Sequence, residues 1–280
     1  MAGALIIVFR EVLEAGLIIG IVLAATQGLR ASRLWIAGGA AAGLFGSCIV
    51  ALFTSAIASA FEGFGQELFN AAILATAVVM LTWHNVWMAG HGRAMADGLF
   101  AAGRDVAEGK RPLMALAVVV GAAVLREGSE VVLFLYGVAL SAGSSAASLV
   151  GGGLMGLVLG GIVSALTYFG LLRIPSRHLF AVTSWLLTFL SAGMAAQAAR
   201  YLEQAGVVEI FGNTAWDSSA ILSESSIAGQ ILHTLVGYSE QPSVLQLLVY
   251  LATLAVIFTL TRWARTASAK SRPAKFVSAE

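Results

Sequence analysis

The sequence predicts an all-α integral membrane protein with seven transmembrane helices, built as two inverted three-helix repeats plus one helix. Three observations carry this. Hydrophobic types make up 59% of the 280 residues and charged types only 11%, with mean hydropathy +0.88. A soluble domain carries about 25% charge, and one soluble core of this size could not hide so much apolar surface. The apolar residues fall in continuous runs long enough to span about 30 Å of hydrocarbon, which takes roughly 20 residues per helix. Finally, one charged motif occurs twice, on runs that cross in opposite senses. The continuity of the runs speaks against a β-barrel. Sixteen Lys and Arg nearly cancel fifteen Asp and Glu, so there is no basic field for nucleic acid. The single cysteine, Cys48, lies in an apolar run, leaving neither a disulfide framework nor a thiolate metal site.

The candidate spans are near 4–26, 35–60, 67–89, 113–139, 148–172, 179–201 and 244–262. The first lacks a basic leader and is interrupted by three charges, so it reads as a retained helix rather than a signal peptide. The second and fifth are Gly/Ala-rich, which suits close helix packing in lipid. The links 27–34, 90–112 and 173–178 and the tail hold thirteen of the sixteen basic residues. The opposite connections hold Glu62, Glu67, Glu203, Glu209, Asp217, Glu224 and Glu240. An odd span count puts the basic links on one side, and the positive-inside rule makes that side cytoplasmic, with the N-terminus outside. Link 90–112 is amphipathic enough to form a separate short helix on the membrane, and the tail after Arg265 reads as disordered. One domain is expected over 1–265. Repeat one lies near 1–90, repeat two near 112–202, an external acidic loop near 202–243 and helix seven near 244–262, with a cytoplasmic tail at 266–280.

Two clusters break the apolar pattern. The first span carries Arg10, Glu11 and Glu14, the fourth Arg126, Glu127 and Glu130, and both read R-E-x-x-E. A charge at mid-membrane costs about 2.5–3.5 kcal/mol on insertion scales, so six unpaired ones would cost roughly 15–20 kcal/mol. They must pair, face the bundle interior or bind ions. Positions i, i+3 and i+4 share a helix face, so each helix presents two carboxylates and one guanidinium together. Face to face, the helices offer four carboxylates against two arginines, an excess that a hard cation relieves. The arginines hold carboxylates ionised without competing as ligands. Structural ion-pair knots are the alternative. The motifs are 116 residues apart on oppositely threaded helices, as inverted repeats require, and such repeats place a substrate site at their interface.

With "REVLEAGLI" (10–18) and "LREGSEVVLFL" (125–135), the sequence resembles the iron permease family. Similarity extends through "QELFNAAILATAVVMLTWHNVWM" (66–88), "WDSSAILSESS" (216–226) and "GYSEQPS" (237–243), covering roughly residues 1–262. The resemblance implies iron import across the cytoplasmic membrane, with ferric ion handed over by an oxidase. It implies that Glu11, Glu14, Glu127 and Glu130 bind the metal, with Arg10 and Arg126 as companions. Iron is then cargo, with no cofactor and no catalysis. A ferroxidase or a periplasmic or extracellular iron-delivery protein is the expected partner. Val12 stands where the family prefers Gly, and Asn70 where many members place a second Glu, so Glu67 is expected to act alone.

The remaining polar positions divide into candidates and scaffolding. The segment 202–243 has five acidic residues and no Lys or Arg, which suits either a solvated loop or a cation-concentrating vestibule. With Glu67, Asp217 and Glu224 are the candidate capture ligands, the latter two lying two helical turns apart if the loop is helical. His84, near the expected inner end of the third span, reads as an exit ligand or as a histidine hydrogen-bonded within the bundle. His91 and His178 read as solvated and His233 as a weak ligand. No methionine stripe supports a soft-metal path, no Glu-x-x-His marks a di-iron site, and no phosphate loop supports ATP hydrolysis. Three readings compete with ferric import: another divalent cation (ferrous iron, manganese or lead), a non-transporting scaffold, and proton-linked transport of an organic solute. The last is disfavoured by the net negative charge at the midplane.

Overall fold

The structure, a computed structural model, describes residues 1–60, 65–142, 145–170, 176–208 and 210–270. The elements are α1 (Ala2–Ala25), α2 (Ser32–Ala60), α3 (Gln66–Ala107), α4 (Met114–Ala142), α5 (Ala146–Tyr168), α6 (Ser176–Gln204), α7 (Ile227–Val236) and α8 (Val244–Lys270). Among the described residues the only β pairing is an isolated bridge between Thr214 and Ser243. Each expected apolar run falls largely within one long helix. The helices α2, α3, α5 and α8 contain stretches long and apolar enough to cross a membrane. Their outer faces leave side chains such as Phe45, Phe53, Leu157 and Val256 exposed, a surface that lipid covers and water would not. The expected outer charge Glu62, the expected loop charge Glu209, the link residue Arg173 and the tail after Lys270 lie outside the described residues.

Two expectations are corrected. Link 90–112 does not form a separate helix, because α3 continues into it as far as Ala107, a single helix of 42 residues, about 63 Å long at 1.5 Å per residue. Nothing in 90–107 stops it. It ends where Gly109 takes a left-handed φ of +73° ahead of Pro112. Its C-terminal part is anchored, with Val106 buried against Val22, Ile36, Leu116 and Val120. The tail after Arg265 is also helical as far as Lys270.

Small residues set the packing. In α2, a Cβ on Gly39 would strike the Ala117 backbone and one on Gly43 the Gly121 carbonyl and Val124 Cβ. In α5, a Cβ on Gly152 would strike the Met1 carbonyl and one on Gly156 the Leu5 carbonyl and Val8 Cβ. Met1, Leu5 and Val8 precede Ala117, Gly121 and Val124 by 116 residues each, the spacing of the charged motifs. The helix pairs α2/α4 and α1/α5 therefore meet in the same register, each pair running parallel. By contrast, α3 meets α6 antiparallel, with Asn85 donating to Thr188 Oγ1 at 3.1 Å and Ala77 in one core cluster with Met194.

The same register explains Val12. Val12 and Gly128 hold the same position in the two motifs. A Cβ on Gly160 would come within 2.9 Å of Val12 Cβ, and a Cβ on Gly128 would fall on Ser47. Each contact has room for one side chain, which the first pair places on the motif helix and the second on its partner. Gly128→Ala is therefore expected to destabilise the protein by about 1–3 kcal/mol, and adding Ser47→Gly should recover much of the loss. Thermal unfolding of both variants in detergent checks this, and additive effects would contradict the one-side-chain contact.

Candidate metal centre

The charged motifs lie inside the bundle. Arg10, Glu11, Glu14 and Glu127 are each no more than 2% exposed, whereas Glu130 and Arg126 are partly buried. Burial of this kind follows from the helical period, since Glu11 and Glu14 share the α1 face that also carries Ile7 and Ile18 into the core. Along α3, Leu74 clusters with Ile7, and His84 reaches Glu14, so α1 and α3 run parallel. On α4 the order reverses. A Cβ on Gly137 would meet Ala77, while Glu130 meets His84. Helices α1 and α4 therefore run antiparallel and bring their motifs to one level of α3.

Each arginine holds its own motif. Arg10 Nη1 donates to Glu11 Oε1 at 3.2 Å. Its Nη2 lies 2.9 Å from Glu14 Oε1, close enough for charge attraction although the N–H is not aimed along a hydrogen bond. Arg126 donates to Glu127 Oε1 from Nε at 3.1 Å and from Nη2 at 2.6 Å, and its Nε lies 3.6 Å from Glu130 Oε1. Trp87 lies beneath this guanidinium, 5.4 Å from Cζ to the ring centroid, a distance suited to cation–π attraction.

The arginines engage the Oε1 atoms and leave the Oε2 atoms over. Oε2 of Glu11, Glu14 and Glu127 is buried without a hydrogen-bond partner. Buried oxygens in that state are costly and are suited to a cation. Ligand-capable atoms of Glu11, His84, Glu127 and Glu130 all lie within 4.8 Å of one another. Glu14 adjoins the group through His84 Nε2, 3.3 Å from its Oε2. All four motif glutamates are thus brought together.

Sequence reasoning placed His84 near the inner end of a span, and the length of α3 moves it to the level of the motifs. The available signal was the polar pair His84 and Asn85 inside an otherwise apolar run. Glu67, by contrast, is exposed in the first turn of α3, seventeen residues from His84 and about 25 Å along the axis. Asn70 is buried two turns below Ala77. The segment 202–243 is not helical between Asp217 and Glu224, so the helical spacing expected for that pair does not apply. Asp217 is exposed and accepts hydrogen bonds from Ser219 Oγ (2.6 Å), Ser219 N (2.9 Å) and Gln241 Nε2 (2.9 Å). These bonds hold its carboxyl below the ordinary aspartate value. Because the folded pKa is depressed, this contribution to stability is present above pH 3.8 and is lost as pH falls through the folded value. Glu224 Oε1 lies 2.8 Å from His233 Nδ1, and His233 also faces the carbonyls of Tyr238 at 2.7 Å and Ser141 at 3.3 Å. His233 thus fastens the segment 202–243 to the end of α4.

A family model described as the Iron permease FTR1 family matches residues 1–269. Among curated proteins, "Ferrous iron permease EfeU" of Shigella sonnei is 32% identical over 95% of this chain and 98% of its own length. Proteins of the same name from Escherichia coli O6:H1 and Yersinia pestis are 33% and 32% identical, over 95% and 88% of this chain and 98% and 87% of their own lengths. No solved structure matches.

The unequal burial of the two arginines gives a test of their roles. Arg10→Gln leaves buried carboxylates without their partner, a change that costs about 3–5 kcal/mol for buried pairs. Arg126 is 39% exposed at its side chain and its partner Glu130 is only partly buried, so its loss strands less fully buried charge. Thermal unfolding of Arg10→Gln and Arg126→Gln is expected to show the first as clearly the less stable, and equal shifts would contradict the assigned burial.

Proposed function

We propose, from the premise that this chain belongs to the iron permease family, that it imports ferrous iron through the centre built by the two R-E-x-x-E helices. Membership makes it a membrane permease for iron and not an enzyme. The choice of ferrous over the ferric ion first expected follows the names of its curated relatives, since carboxylates alone accept either ion. Glu11, Glu14, Glu127 and Glu130 bind the ion, and Arg10 and Arg126 keep the carboxylates aimed. The observation that carries this reading is the set of buried Oε2 atoms without hydrogen-bond partners at the meeting point of the two motifs.

The finer architecture belongs to the same proposal. All seven long helices cross the bilayer as one domain over 1–265. Helices α1–α3 and α4–α6 form inverted repeats, and α8 is added. Support comes from the equal 116-residue register of the α1/α5 and α2/α4 contacts and from the antiparallel motifs. The N-terminus is outside and the C-terminus cytoplasmic, as the basic links indicate. Ions approach over the acidic external segment, where Glu67, Asp217 and Glu224 attract cations. A ferrous cargo removes the chemical need for a ferroxidase, so the proposed partner is a periplasmic or extracellular iron-delivery protein.

Uptake by proteoliposomes supplied separately with ferrous and ferric iron tests this proposal. Wild type is expected to move ferrous iron, and Glu14→Gln and Glu127→Gln to lower uptake by at least about tenfold, the smallest loss typical of altered metal sites. Unchanged uptake by a folded Glu127→Gln protein would defeat the site, and faster ferric transport by wild type would defeat the choice of oxidation state.

A further inference from the structure

We infer that His84 is a nitrogen ligand to the transported ion, donated by α3 from outside both duplicated motifs, and that it makes the site discriminate against hard divalent cations. This rests on the glutamate site proposed above and adds to it a selectivity that four carboxylates do not provide.

The geometry starts from burial. His84 is 5% exposed. His233, which joins two elements, sets each ring nitrogen against a backbone carbonyl, of Tyr238 and of Ser141, beside its contact with Glu224. Both His84 ring nitrogens instead face carboxylates and no carbonyl. Its Nδ1 lies against Glu130 Oε2. Its Nε2 faces Glu14 Oε2 at 3.3 Å and Glu11 Oε2 at 4.0 Å, and Nε2 and both of those oxygens are buried without a hydrogen-bond partner. An imidazole nitrogen and carboxylate oxygens converging without partners form a mixed nitrogen–oxygen donor set.

Chemistry assigns the consequence. A site of carboxylates alone suits magnesium, calcium and manganese as well as iron. Imidazole is a borderline donor that suits iron and later divalent ions, and affinity rises from manganese to iron along the divalent series. One nitrogen among hard oxygens therefore tilts the site toward ferrous iron and away from calcium and manganese. Ferric ion, a hard acid, gains least from it. The neighbouring Asn85 is already engaged by Thr188, which fixes α3 against α6 and holds the next side chain in register.

The test uses the purified full chain with manganous ion as the probe. Pulsed electron paramagnetic resonance detects nitrogen bound directly to manganese. Wild type is expected to show an imidazole coupling. His84→Gln is expected to bind manganese without it, and its preference for ferrous iron over manganese in uptake should fall by at least about tenfold. A chain in which His91, His178 and His233 are replaced by Gln keeps His84 as its only histidine, and the coupling should persist there. This second chain decides the matter if His84→Gln does not fold. Absence of coupling in wild type, its persistence in His84→Gln, or its loss in the His84-only chain overturns the inference. If Glu127→Gln abolishes manganese binding while wild type lacks the coupling, the glutamate site stands and only the role of His84 fails. If Glu127→Gln binds manganese and transports normally, both fail.

Discussion

Six ionisable side chains from two helices must compensate one another away from water, and the rest of the bundle is arranged around that requirement. Arg10 alone could neutralise one carboxylate, but it meets two. Arg126 likewise meets Glu127 and Glu130. Each motif is therefore under-neutralised, and the cost of burying it falls when a cation joins. Antiparallel α1 and α4 concentrate this deficit at one level, where α3 contributes His84. Here the instability of an uncompensated charge and the affinity for a cation are one electrostatic quantity.

Convergence of the motifs depends on how closely the surrounding helices approach. Gly39 and Gly43 bring α2 onto α4, and Gly152 and Gly156 bring α5 onto α1. In lipid, where apolar side chains gain little by leaving their solvent, such contact supplies most of the packing energy. These glycine faces support the charged helices from behind, so that Arg10, Glu11 and Glu14 can point into the bundle together. The acidic segment 202–243 is tied down separately. Ser218 bonds Tyr238 at 2.7 Å and the Glu240 carbonyl at 3.1 Å, Glu240 accepts from Glu224 N at 2.8 Å, and Ser243 donates to Glu203 at 2.7 Å. Much of the acidic character there is spent on holding the segment, which narrows what is left for attracting ions.

The all-helical class, the helix positions and the two charged motifs were legible in the sequence because each is a local or periodic property. An apolar run of bilayer length shows itself without a partner, and a charge in such a run is conspicuous wherever it packs. The continuation of α3 beyond residue 89 was not legible, because its later turns are amphipathic and their partners, Val22, Ile36 and Leu116, lie far away in sequence. The exchange of Val12 for glycine was visible as an oddity. Its explanation required seeing Gly160 opposite it.

By itself, then, the sequence determined that this chain enters a membrane as helices and carries two copies of one charged motif, since hydropathy and spacing are read within single segments. Tertiary structure decided which oxygens face which, that Glu67 and Asp217 stay apart from the buried group, and that a histidine of a third helix stands among the carboxylates. Those outcomes depend on the angle and register at which helices meet, and register is set by steric contacts between residues more than a hundred positions apart.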